Sequence, residues 1–118
     1  MSNEINRYEP NGRFCQAVQY NGMLFLSGLV FLEKDTLKEQ TEGVLARIDE
    51  LLAQYGSSRD RLLSANVYLK SASMTPEFNA IWCDWVVTGQ EPVRTCVAAE
   101  MVHPEILVEI AVTAAVNP

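Results

Sequence analysis

Two charged side chains stand alone in strand-like apolar runs: Arg94 in Pro92-Val93-Arg94-Thr95-Cys96-Val97, and Glu109 in Ile106-Leu107-Val108-Glu109-Ile110. Burying an Arg or a Glu costs several kcal/mol of lost hydration unless a partner compensates. A cation and an anion on neighbouring strands therefore point either to an internal ion pair or to a site that needs both charges. The second case has definable chemistry. The planar guanidinium fork of Arg94 suits a carboxylate on a small substrate, and the Glu109 carboxylate suits the handling of a proton or a water.

Other reactive types are weaker on their own. Ser27-Gly28 closes a strand-like run, which reads as a strand end with a turn glycine, or as a hydroxyl and backbone groups at a cleft rim. Cys96 lacks a histidine to activate it and reads as a small buried hydrophobe whose backbone is more useful than its sulfur. Trp82 and Trp85 share helical spacing with Phe78 and Ile81, the pattern of core packing, and Asn79 beside them reads as a solvated helix residue. The only histidine, His103, precedes Pro104 between two strand-like runs and reads as a turn residue, so neither a metal site nor a histidine-based triad is expected.

These residues must be positioned by a chain of 118 residues, the length of one domain. Hydrophobic residues make up 48% and charged residues 20%, a globular balance that argues against disorder. A formal charge of −6 and the lack of any basic run argue against a nucleic-acid partner and against RNA cleavage. No apolar run approaches the ~20 residues of a membrane span, and Met1 to Arg7 hold no signal-peptide core. Cys15, Cys83 and Cys96 are odd in number and widely spaced, which fits reduced thiols in a cytoplasm.

Local signals give the order β-β-β-α-β-α-β-β. A short strand near Ile5–Glu9 precedes two runs, Phe14–Tyr20 and Met23–Ser27, joined by the hairpin signal Asn21-Gly22. A helix from Thr36 to Tyr55 carries the stripe Val44, Leu45, Ile48, Leu51, Leu52 and Tyr55, with Gly56 as its stop. Ala65–Leu69 alternates as a strand. A second helix takes Thr75 as N-cap and Pro76 as first residue and ends at Gly89. Val93–Glu100 and Ile106–Val116 follow as strands joined by a five-residue turn. The sum is an α+β fold, a mixed sheet with two helices packed on one face.

Those strands are apolar on both sides. In the last one Ile106, Val108, Ile110, Val112 and Ala114 point one way, while Leu107, Ala111 and Ala115 point the other. Two helices cover one face only, and further copies of the same chain are the default cover for the second.

Taken together these residues resemble the Rid family, the reactive-intermediate (enamine/imine) deaminases also called the YjgF-like family. The resemblance treats 1–118 as a single Rid-like domain, closest to a short bacterial branch. Its specific part is Arg94-Thr95-Cys96-Val97 with Glu109 thirteen residues beyond Cys96. It implies a trimeric chorismate-mutase-like fold and a homotrimer with clefts between subunits. It also implies hydrolysis, without a cofactor, of 2-aminoacrylate and its imine tautomer to a 2-keto acid and ammonia. Arg94 would hold the substrate carboxylate, the Cys96 backbone would meet the imine nitrogen, and Glu109 would orient the attacking water. Ser27, Gly28 and Asn79 would line the same cleft. The best-studied deaminase branch has Tyr at the position of Phe14 and Gln at that of Leu29, so both changes would make this cleft less polar. The alternative is a trimer that binds or senses small carboxylates without turning them over.

Overall fold

Four of the five strand pairs in the sheet run antiparallel, and the single parallel pair needs a crossover connection, here a helix. The computed structural model describes residues 4–118. It contains β1 (Asn6–Pro10), β2 (Cys15–Tyr20), β3 (Met23–Leu26), α1 (Leu37–Gln54), β4 (Leu62–Leu69), α2 (Thr75–Trp85), β5 (Val93–Ala98) and β6 (Val108–Ala115). The sheet order is β1-β2-β3-β6-β4-β5. β4 and β5 form the one parallel pair, and α2 makes the crossover between them. This is the expected α+β architecture. No helix among the described residues is long and apolar enough to cross a membrane.

The hairpin and the first helix follow local chemistry. Asn21 and Gly22 have φ of 54° and 80°, the two positive values that a tight two-residue hairpin demands, and Tyr20 lies opposite Met23. Thr36 caps α1: its hydroxyl accepts from Glu39 N at 3.1 Å and donates to Glu39 Oε1 at 2.9 Å. The buried stripe of α1 includes Val44, Leu45, Ile48, Leu51 and Leu52, and Gly56 follows the helix at φ 82°.

The second helix corrects two expectations. Thr75 is not the N-cap but the first helical residue, because Ala72–Met74 already form a 3₁₀ turn that places Met74 at the cap. The Thr75 hydroxyl donates back to Ala72 O at 2.8 Å instead of capping forward. Gly89 does not end the helix either. The chain leaves it at Val86, which turns extended (φ −66°, ψ 151°), and Gly89 belongs to a later turn at φ 85°. The last two strands are also shorter than expected, so the connection between them covers residues 99–107.

Both helices pack on one sheet face. Leu24, Leu26, Ala65, Val67, Leu69, Val108, Ile110, Val112 and Ala114 of the sheet join Val44, Ile48, Leu51, Phe78, Trp82 and Trp85 in a single core. Trp85 also donates from Nε1 to Asp49 Oδ2 at 3.1 Å, and Arg59 holds the same carboxylate through two bonds of 2.7 and 3.1 Å. Gln40, fully buried on α1, donates to Lys34 O and Glu105 O and accepts from Leu107 N, all at 2.9 Å. It fastens the end of the 99–107 connection to the helix.

Candidate functional site

Glu109 sits on the face of the sheet away from the helices. β6 alternates strictly, with Val108 and Ile110 buried and Glu109 and Ala111 half-buried on the opposite side. Register places Tyr68 of β4 directly opposite Glu109, on the same face. With Gly28, Ala99, Glu100, Met101, Val102 and Ala111 these two residues line a concavity of about 250 Å³.

Gly28 has a close-approach role. A Cβ at that position would lie 3.1 Å from Glu109 Cδ and overlap Oε2, so only glycine leaves the carboxylate its place. Its φ is not positive, and the turn-glycine reading is thus replaced by one of close packing. Beside it the Ser27 hydroxyl accepts from Gln16 Nε2 at 3.0 Å across β2. Gln16 drew no attention in the sequence. Its signal was there, since it alternates with buried Ala17 and so falls on the Ser27 side.

Arg94 lies elsewhere. β5 is an edge strand, and Arg94 pairs with Ala65, whose side chain belongs to the helix-side core. Its guanidinium stands 5.7 Å from the Phe78 ring and 5.6 Å from the Trp82 ring of α2, within cation–π range. Arg94 and Glu109 therefore project from opposite faces, two strands apart. The internal ion pair is absent: Arg94 and Glu109 take no part in ion pairs such as Lys38–Glu42, Arg47–Glu50 and Arg59–Asp49 among the described residues. Alternation excludes it: Glu109 has the parity of Tyr68, and Arg94 that of Ala65.

The remaining residues divide between these two places. Cys96 is half-buried on the Arg94 side, its thiol free and packed against the core, and the edge strand leaves alternate backbone groups facing outward. Asn79 follows Phe78 on α2 and is not solvated as expected; its Oδ1 is buried without a hydrogen-bond partner. Phe14 precedes β2 and is 56% exposed. Leu29 bridges Ile110 through reciprocal backbone bonds of 2.9 and 3.1 Å, packs against the core and does not line the Glu109 concavity of the single chain.

His103 occupies the turn assigned to it, accepting at Nδ1 from Glu105 N at 3.2 Å. Among the described residues no group of three or more His, Cys, Asp or Glu could hold a metal ion. A larger hollow of about 510 Å³ lies between the helices, lined by Asp49, Arg59, Ile81 and Trp85 among others, and contains none of the candidate residues.

A mixed six-stranded sheet with two helices on one face and a carboxylate-bearing hollow on the other defines a class, and the comparisons agree on it. The family model described as Endoribonuclease L-PSP matches residues 4–116. A RutC family protein from Haemophilus ducreyi is 35% identical over 114 residues, 96% of this chain and 97% of its own length. The crystal structure of NMB1025 from Neisseria meningitidis, a member of the YjgF protein family, superposes with a TM-score of 0.95 at 40% identity over 98% of both chains. YyfA of Yersinia pestis, from the conserved Rid protein family, does so with a TM-score of 0.82 at 27% identity, over 91% of this chain and 90% of its own. The chain belongs to the Rid/YjgF family.

Proposed function

We propose that the protein is a cofactor-independent enamine/imine deaminase, assembled as a homotrimer, that releases a 2-keto acid and ammonia from 2-aminoacrylate and related intermediates. The observation that carries this reading is the separation of Arg94 from Glu109. Neither charge neutralises the other, so each is available to a ligand. A site using both is then built between copies of the chain, Arg94 from one protomer and Glu109 from its neighbour. The face bearing Glu109 also exposes Met23 and Phe25, which a neighbouring copy would cover.

In this site Arg94 holds the substrate carboxylate by a bidentate pair, stiffened by the Phe78 and Trp82 rings behind it. Outward backbone groups at Cys96 meet the imine nitrogen. Glu109 takes a proton from the attacking water as its oxygen bonds to the imine carbon. The proton then passes to nitrogen, the C–N bond breaks with its electron pair going to nitrogen, and ammonia leaves as Glu109 takes the hydroxyl proton and the carbon–oxygen bond becomes the keto group. Positioning supplies most of the acceleration, since a protonated imine is already electrophilic. The family description names an endoribonuclease, yet a net charge of −6 favours a small substrate over a polyanion.

The test generates 2-aminoacrylate in situ with a pyridoxal-phosphate-dependent dehydratase and follows keto-acid release above the spontaneous rate. Glu109→Gln should lower turnover at least ~10-fold, and Arg94→Lys should lower kcat/KM about 10- to 100-fold. Unfolded together and refolded as mixed trimers, Arg94→Ala and Glu109→Gln should regain up to about one quarter of wild-type activity, because one site in four then draws both intact residues from different chains. No recovery would place both groups of a site in one chain. Keto-acid binding without turnover by the wild type would favour the binding protein.

A further inference from the structure

We propose that Tyr68 is a second water-positioning residue of this site, acting with Glu109. The inference rests on the deaminase reading and adds a residue that neither the Arg94-Thr95-Cys96-Val97 motif nor Glu109 identifies.

Register carries the argument. Tyr68 and Glu109 are direct antiparallel partners, so their Cβ atoms stand about 4.5–5.5 Å apart on one face. Both are half-buried and both line the 250 Å³ hollow that Gly28 keeps open. Tyr8 and Tyr55 spend their hydroxyls on Gln19 and Glu9, at 3.3 and 3.1 Å. The Tyr68 hydroxyl and the Glu109 carboxylate make no hydrogen bond to any described residue, including each other. A half-buried phenol and carboxylate left unjoined on adjacent strands leave room for a bridging water.

The chemistry assigns that water a geometry. An attacking water has two protons to donate and must aim a lone pair at the imine carbon. With one proton on the Glu109 carboxylate and the other on Tyr68 Oη, the lone pair points away from both strands and into the cleft. Glu109 accepts the proton released as the C–O bond forms, while Tyr68 keeps its own and serves only as an acceptor. Tyr68 thus fixes orientation and is not the base.

Tyr68→Phe removes the oxygen and keeps the ring. With 2-aminoacrylate generated in situ, kcat should fall about 10-fold while KM stays within about twofold, since the carboxylate clamp is untouched. Melting temperature and pyruvate binding should match the wild type. In a double-mutant cycle Tyr68→Phe should cost much less in a Glu109→Gln background, because both residues act on one water. Wild-type turnover with an unchanged kcat in Tyr68→Phe would overturn this inference alone, and so would fully additive losses or a raised KM at constant kcat. A wild-type protein that turns over no imine would overturn the deaminase reading and this inference with it.

Discussion

The two faces of the sheet come from the same strands and end in different conditions. On one, Leu24, Val67, Val108 and Ile110 are fully buried under α1 and α2. On the other, the intervening residues Met23 and Phe25 remain 37% and 39% exposed, and the hollow with Glu109 opens further along the same face. The helix side is completed by the chain itself. The far side has apolar area, a carboxylate and a glycine packed against it, and neither helix covers them. Arg94 is instructive because it belongs to the first face but stands on the edge strand, where its guanidinium is exposed beyond the aromatic rings.

The adjacent residues Leu24 and Phe25 give the largest contrast. Leu24→Ala empties a site with no access to solvent and should cost about 2–5 kcal/mol, read as a lower melting temperature at unchanged assembly. Phe25→Asp should keep the far-UV circular dichroism of the fold and dissociate the proposed trimer into monomers, read by sedimentation equilibrium beside the wild type. A trimeric Phe25→Asp protein would show that the exposed face is not where copies meet.

Gly43 gives the next effect and probes how tightly the helix side is packed. Glycine inside a helix normally loses about 1 kcal/mol against alanine. Here a Cβ would run into the Phe31 ring, so Gly43→Ala should lower stability by about 1–3 kcal/mol, contrary to propensity. Adding Phe31→Leu should recover part of the loss, which chemical denaturation of the single and double variants would measure.

The smallest effect concerns Tyr55, which follows α1 and stacks on Tyr8 at 4.5 Å between ring centroids. Burial, and then its hydrogen bond to Glu9 Oε2, hold its phenol above the usual value of 10.0. The unfolded chain therefore releases this proton first. The contribution is complete below pH 10 and is lost as pH rises from there through the folded-state value. Melting curves from pH 9 to 11 should fall more steeply for the wild type than for Tyr55→Phe.

What could be read in advance was local. The Asn21-Gly22 turn, the start of α1 beside Thr36 and most of its apolar stripe depend on residues within a few positions of each other, and they stand as expected. Even the apolar second face was legible, because period-two alternation needs no partner strand. Register was not. Placing Arg94 and Glu109 on opposite faces, pairing Tyr68 with Glu109 and turning Leu29 inward all depend on contacts between distant segments. Gly28 shows the same limit in one residue: the sequence marks a glycine, and only the approach of Glu109 explains it.

Gln40 separates two kinds of change that the cleft can undergo over generations. Its bonds to Glu105 and Leu107 anchor the last residues of the 99–107 connection, while Glu100, Met101 and Val102 line the hollow from the part it does not touch. Substitutions there can reshape the mouth of the hollow while the anchor, and Glu109 two residues beyond Leu107, keep their station. Descendants of such a scaffold can drift toward new substrates without relearning how to fold.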